Sequence, residues 1–181
     1  MFGIPYFKAD SSTYVIKSVS GKVKKKGKGL SFFYNAATTS IATIPVNVQQ
    51  APFIFNLLSA DFQAIQVQGQ ISYRVVNPEK TAEMLNFNVK IDGVSYVSED
   101  PLTLGDRVLR AVQTIVQNAV QTSSLRESLK LGQSLVQQIK TELYDQPALA
   151  DLGVSVIESS IIAISPSKET SRALEAEVRE L

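Results

Sequence analysis

The sequence predicts an α+β fold: a mainly antiparallel, twisted sheet with amphipathic helices packed on one face, and a C-terminal helix leading toward a coiled coil. Three observations predict it. Short β-branched and aromatic runs separated by turn residues fill the first half of the chain. In the middle, apolar residues recur at three- and four-residue spacing, as on one side of a helix. The last residues are charged and have few apolar positions.

The first half of the chain is predicted to consist of short strands. They cover residues 13–19, 30–35, 40–48, 51–60 and 64–76. In the last of these, apolar residues alternate strictly with polar ones, which indicates one buried face and favours antiparallel pairing. The residues predicted to face the core are Ile65, Val67, Gly69, Ile71, Tyr73 and Val75. Pro78 cannot continue the strand pairing and is predicted to start a short helix.

Two amphipathic helices are predicted next. The first extends from Leu104 to Gln121, with its apolar residues on one side. Ser124 and Glu127 have the spacing of a capping box for the second helix, which Pro147 is predicted to end. Residues 153–165 then return to a strand.

The last segment, residues 166–181, is predicted to be a charged helix. Ser165 and Lys168 have the Ser-x-x-Lys spacing of some acyl enzymes, but the partner motifs of that chemistry are absent, and we expect Ser165 or Ser167 to cap the helix instead. The helix has too few apolar positions to bury much area alone, so we expect it to continue into a coiled coil. The residues predicted to mediate self-association are Leu174, Val178 and Leu181.

Composition excludes several classes of function. The chain has no Cys, which excludes disulfides, thiolate catalysis and Cys-based zinc sites. It also has no His, which excludes a Ser–His–acid triad and removes the commonest transition-metal ligand. We expect no catalytic residue, no metal and no cofactor.

The charge is unevenly distributed along the chain. The net charge is +1, but the segment ending at Lys28 carries seven lysines and one acid, Asp10. A basic edge on an otherwise acidic body predicts a local contact with an anionic surface. The apolar stretches are far shorter than the roughly 20 residues that a membrane-spanning helix needs, and the first residues lack the pattern of a signal peptide. We therefore expect a cytoplasmic protein, peripheral at the inner face of a membrane.

The segment VKKKGKGLSFFY, residues 23–34, has several interpretations. Its Gly-x-Gly start suggests a phosphate cradle, but Phe32 replaces the third glycine and no helix opens there. Nucleic-acid binding is not expected, because the cluster contains no Arg and its aromatic residues are not spaced for stacking. A membrane-facing edge and a solvated hairpin turn, with Gly27 and Gly29 at positive φ, are compatible with each other and both stay open. The predicted membrane-contacting residues are Phe2, Ile4, Tyr6, Phe7, Lys24, Lys25, Lys26, Lys28, Phe32 and Phe33.

The order of segments resembles the stomatin–prohibitin–flotillin superfamily, also called the SPFH or band 7 domain. The resemblance rests on GKGLSFF (27–33), QGQISYRVVNPEK (68–80), RVLRAVQTIV (107–116), GVSVIESSIIAISP (153–166) and RALEAEVREL (172–181). It covers about residues 13 to 181, which divides the chain into an N-terminal segment (1–12), a band 7 domain (13–165) and the start of a C-terminal helix (166–181). Two positions depart from the family pattern: Lys28 replaces a proline, and Leu152 replaces a tryptophan.

The resemblance implies a non-enzymatic, membrane-associated scaffold. Members of this superfamily form homo-oligomers, organise membrane microdomains, and regulate membrane proteases or channels. The alternative from a different class is a soluble adaptor that regulates a partner protease or channel through protein–protein contacts, with the lysines serving only solubility.

Overall fold

The computed structural model describes residues 3–180 and has the predicted α+β composition with antiparallel sheets. In chain order its elements are β1 (Tyr6–Lys8), β2 (Thr13–Val19), β3 (Lys22–Lys28), β4 (Ser31–Phe33), β5 (Thr39–Pro45), β6 (Gln49–Leu58), β7 (Ala64–Val75), α1 (Pro78–Met84), α2 (Asp100–Gln121), α3 (Leu125–Ser128), α4 (Gly132–Tyr144), α5 (Pro147–Asp151), β8 (Val154–Pro166) and α6 (Lys168–Glu180). The predicted α+β class with antiparallel sheets is confirmed, and the continuation of the last helix into a coiled coil stays a prediction.

The strands are divided among three sheets. Strands β1 and β4 form a two-stranded ribbon, β3, β2 and β5 form a second sheet, and β6, β7 and β8 form a third. The first two sheets are antiparallel. In the third sheet, the Ser167 amide donates to the Ala64 carbonyl at the start of β7, and the Val76 amide donates to the Gly153 carbonyl at its end. Strands β7 and β8 therefore run in opposite directions.

The chain forms two compact units. One comprises the chain up to Gln49 together with Arg74–Leu104 and Pro147–Ser155, and the other comprises Gln50–Tyr73, Gly105–Gln146 and the chain from Val156 onward.

In the first unit, the β1–β4 ribbon packs on one face of the β3–β2–β5 sheet. The core there consists of Phe7, Val15, Phe32, Tyr34 and Ile41. Phe7 and Phe32 lie opposite each other in the ribbon, and their rings stack with centroids 5.4 Å apart. Burying aromatic side chains of this size is a large hydrophobic gain for a small unit.

Helix α1 lies against the other face of that sheet. Pro78 begins the helix, as predicted, and the Asn77 side chain accepts the Lys80 amide at the helix start. The buried Thr81 hydroxyl donates to the Leu152 carbonyl over 2.6 Å. This bond ties α1 to the turn that follows α5 and gives the buried Thr81 hydroxyl a partner.

In the second unit, β7 has the predicted alternation. The inward-facing residues of β7 are buried, and Tyr73 packs its hydroxyl against Gly105 of α2. Helix α2 begins at Asp100, four residues before the predicted Leu104, and buries its predicted apolar stripe. The capping box of Ser124 and Glu127 is present at α3. Pro147 follows the end of α4, as predicted, but it also starts the short helix α5.

The lysine-rich segment is a strand and not a hairpin turn. Lys22–Lys28 form β3, and the turn before it uses Ser20 and Gly21, both at positive φ. Gly29, at φ 61°, lies in the tight connection between β3 and β4. The lysine side chains therefore alternate between the two faces of a sheet.

Candidate functional site

The outer face of the β1–β4 ribbon is apolar and exposed. Tyr6 lies opposite Phe33, with ring centroids 4.8 Å apart. Relative exposure is 54% for Tyr6, 66% for Phe33 and 72% for Ile4, which precedes β1. Successive side chains of a strand point to opposite faces, so the outward pair alternates with the inward pair of Phe7 and Phe32.

This alternation corrects two residues of the predicted membrane contact. Phe7 and Phe32 are only 5% and 6% exposed and pack in the core, so they cannot reach a membrane surface. Sequence reasoning missed this because the short strands of the ribbon were not assigned as a pair. Ile4, Tyr6 and Phe33 have the exposure that the prediction requires. Phe2 lies outside the described residues.

The strand register shows on which face of the β3–β2–β5 sheet each lysine lies. Lys25 lies opposite Lys17, and Lys22 lies opposite Val19. These pairs share the face of Val15, which carries the ribbon, because directly paired residues project to the same side. The Lys17 ammonium lies 4.7 Å from the centroid of the Phe32 ring, which confirms that side directly.

The remaining lysines of β3 differ in position. Lys26 lies opposite Ile16 and Lys28 opposite Tyr14, so both project toward the face of α1. Lys24 is the extra residue at a β-bulge, where the register shifts, and has no residue paired with it. The cluster predicted as one cationic patch is thus split between two faces of the sheet.

We define the ribbon surface as Ile4, Tyr6 and Phe33 with Lys17, Lys22 and Lys25. Ile4 and Phe33 line an open depression of about 730 Å³ together with Lys17 and Val19. The depression brings apolar side chains and a cation to one side of the first unit. This combination suits the boundary between the headgroups and acyl chains of a bilayer, where apolar groups insert and lysines stay at the anionic surface.

A loop beside the ribbon adds apolar groups that sequence reasoning missed. Ile91 and Val94 are each 79% exposed, and between them Gly93 packs against the Phe7 ring. The Tyr34 hydroxyl donates to the Ile91 carbonyl over 3.3 Å, which joins this loop to the core of the first unit. Asp92 accepts the amides of Val94 and Ser95. The hydrogen bond from the Ser95 side chain, followed by those from the two amides, lowers the pKa of the Asp92 carboxyl. The signal in the sequence is an Asp-Gly turn with apolar residues on both sides.

On the α1 face, Lys26 is already paired. Its ammonium lies 3.1 Å from the Glu79 carboxylate, which also accepts the Tyr14 hydroxyl. The hydrogen bonds from Lys26 and Tyr14 lower the pKa of Glu79, and the same contact with Glu79 raises the pKa of Lys26. Burial, followed by the bond to Glu79, raises the pKa of Tyr14. Lys26 is therefore less available to an external anion than the lysines of the ribbon surface.

The predicted self-association residues lie on α6. Ser167 caps this helix, since its hydroxyl accepts the Thr170 amide. Leu174 is half-buried and lines a depression with Leu125 and Thr170, whereas Val178 is 71% exposed. Leu181 lies outside the described residues.

Residues 3–180 contain no group of three or more acidic side chains placed to hold a metal ion. None of the helices in this range combines the length and the hydrophobicity of a membrane-spanning segment.

The first unit combines antiparallel sheets with an exposed apolar ribbon, and the chain as a whole has an α+β fold. The model of the SPFH domain / Band 7 family matches residues 7–181, and the chain belongs to this family. Proteins with this domain are in general membrane-associated scaffolds and are generally non-enzymatic. The resemblance predicted from the sequence is confirmed. No curated protein matches the chain.

Proposed function

We propose that this protein is a non-enzymatic scaffold that attaches peripherally to an anionic membrane through the ribbon surface. It self-associates through α6 and thereby organises membrane microdomains or membrane protein complexes, including a protease or channel. The observation that carries the proposal is the exposed pair of Tyr6 and Phe33 on the outer face of the ribbon, which packs on the sheet face that carries Lys17 and Lys25.

Both parts of the ribbon surface favour a bilayer. Burying a large apolar side chain removes it from water at a gain of about 1.5–3 kcal/mol. A lysine near an anionic leaflet contributes about 1 kcal/mol, and this term falls with added salt. The cytoplasmic leaflet carries the anionic lipids, so the inner face of the membrane is the expected location.

Vesicle co-sedimentation tests the attachment. The wild-type protein is expected to bind phosphatidylcholine vesicles that contain phosphatidylserine. The double variant Tyr6→Ser/Phe33→Ser is expected to lower the partition coefficient at least about tenfold, because it removes apolar groups that are exposed in the folded protein. The control is Lys130→Glu, which changes an exposed lysine of the second unit.

Two outcomes would count against the proposal. One is sedimentation of Tyr6→Ser/Phe33→Ser at the wild-type level, and the other is an equal loss with Lys130→Glu. If the domain does not bind vesicles but captures a membrane protease or channel in a pull-down, the alternative function as a soluble adaptor is favoured.

A further inference from the structure

We propose that the α1 face of the first unit contains a binding site for a phosphate group. The site is a depression of about 360 Å³ into which Lys28 and Arg74 both project. Tyr14 also lines it, and the other lining residues are three valines and Pro78. It shares no residue with the ribbon surface and goes beyond the proposed membrane attachment, since a phosphate in solution can fill it.

Lys28 and Arg74 come from different strands and line the same depression. Lys28 lies opposite Tyr14 at the end of the β2–β3 pair, so the two side chains share a face. Arg74 is on the outward face of β7 and is the penultimate residue of that strand. Both cations are exposed and therefore accessible to a ligand.

The two cations of the depression have no ion-pair partner among the residues that the structure describes. Within residues 3–180, neither Lys28 nor Arg74 has a carboxylate within 4.0 Å. Glu79 accepts the hydroxyl of the lining residue Tyr14, and its charge is offset by the Lys26 ammonium at 3.1 Å. Two cations of like charge that share a depression repel each other, and a bound anion removes that repulsion.

The side chains suit phosphate in particular. The planar guanidinium of Arg offers a fork of N–H donors that matches two phosphate oxygens, and Lys adds a compact charge. The phosphate can belong to a lipid headgroup or to a molecule in solution.

Isothermal titration calorimetry with inorganic phosphate, at constant ionic strength, tests the site. We expect saturable binding to the wild-type protein, and a weakening of at least about fivefold for Lys28→Gln and for Arg74→Gln. Arg74→Lys keeps the charge but loses the forked N–H donors of the guanidinium. Its affinity for phosphate is therefore expected to lie between those of Arg74→Gln and the wild type. Lys130→Gln removes the same charge from the second unit and is the matched control. Thermal melts of each variant establish that it is folded.

Vesicles then identify the source of the phosphate. If Lys28→Gln and Arg74→Gln weaken binding to vesicles with phosphatidylinositol 4-phosphate but not to vesicles with phosphatidylserine, a lipid phosphomonoester occupies the site. If they weaken only the binding of inorganic phosphate, the ligand is soluble. The absence of saturable phosphate binding, or an equal loss with Lys130→Gln, would overturn the proposal. The membrane proposal is tested separately, by the binding of Tyr6→Ser/Phe33→Ser to phosphatidylserine vesicles. Each of the two proposals can therefore fail without the other.

Discussion

The Lys26 ammonium lies 3.1 Å from the Glu79 carboxylate, and this contact joins strand β3 to helix α1. The Tyr14 hydroxyl donates to the same carboxylate over 3.1 Å, so one acid on α1 holds two side chains of neighbouring strands. The Lys26 and Glu79 side chains are 52% and 48% exposed, which makes the contact weak. Its main consequence is that Lys26 has a partner within the domain.

The Lys26–Glu79–Tyr14 contact is expected to make stability depend on pH at both extremes. The pKa of Glu79 is lowered from its ordinary 4.5. Its contribution to the free energy of unfolding is therefore present above pH 4.5 and is lost as the pH falls through the lowered pKa. The pKa values of Lys26 and Tyr14 are raised from 10.5 and 10.0, so their contributions are present below those values and are lost at higher pH.

Glu79→Gln is the variant that measures this dependence. It is expected to lower Tm by only about 1–2 °C near neutral pH, because the pair is exposed. The difference from the wild type is expected to disappear at strongly acidic and strongly alkaline pH. Glu83→Gln, on the same helix, is the control. A Tm difference that stays constant across the whole pH range would show that Glu79 acts through packing and not through its charge.

Gly153 is expected to be intolerant of any side chain. Its φ is +71°, and a Cβ at this position would overlap the Asn77 carbonyl oxygen and stand 3.0 Å from the Thr81 hydroxyl oxygen. Gly153→Ala should therefore lower the free energy of unfolding by about 2–3 kcal/mol, from the left-handed backbone and the overlap together. Urea denaturation measures the change.

Gly132 provides the matched control for this prediction. It lies at the start of α4, and a Cβ there would meet nothing within 4 Å. Gly132→Ala is expected to stabilise the protein by about 0.5–1 kcal/mol, because alanine has the higher helix propensity. Equal effects of the two substitutions would contradict the close approach at Gly153.

The sequence predicted the elements of the fold better than their arrangement. Alternation in 64–76 and the apolar stripe of 104–121 identified β7 and α2 because each buries one side along its whole length. The division into three sheets was not predictable, since the pairing of β1 with β4 joins residues that are distant in the sequence. The short β1 strand, Tyr6–Lys8, has too few residues to show a period.

The candidate site shows the same limit. Composition identified the lysines and aromatic residues, but only the register shows that Lys25 faces the ribbon while Lys26 and Lys28 face α1. A bulge at Lys24 shifts the alternation, so counting residues from the predicted turn would have placed Lys22 on the wrong face. The exposed Ile91 and Val94 were missed because the local sequence of a turn does not indicate where in the fold the turn packs.

Position, and not only net charge, is expected to decide how the lysines bind phosphatidylserine vesicles. Lys22→Gln/Lys25→Gln should weaken binding about tenfold or more, at about 1 kcal/mol for each lysine near the surface. Lys26→Gln/Lys28→Gln removes the same charge from the α1 face and should weaken binding less. Co-sedimentation at fixed salt compares the two. Equal losses would mean that binding follows overall charge, and the ribbon surface would not be the contact.

The apolar stripe of α6 passes from buried to exposed along the helix. Thr170 is 9% exposed, Leu174 is half-buried, and Val178 is 71% exposed, at successive four-residue steps on one side of the helix. The first two positions stabilise the domain itself, whereas Val178 offers an apolar side chain that nothing within residues 3–180 covers. Self-association through α6 should therefore depend on Val178 and much less on Leu174.

Val178→Asp is the variant that separates the two roles. We expect it to lower the mass of the oligomer, measured by sedimentation velocity at fixed protein concentration. Tm should change by no more than about 1 °C, because surface substitutions usually change the free energy of unfolding by about 0.5 kcal/mol or less. Leu174→Ala is the comparison and should lower Tm, because it removes a side chain that packs beside Leu125 and Thr170. An unchanged mass for Val178→Asp, measured where the wild-type protein is oligomeric, would place self-association elsewhere on the chain. If Val178→Asp lowers both Tm and the mass of the oligomer, Val178 stabilises the fold of the domain, as Leu174 is expected to do.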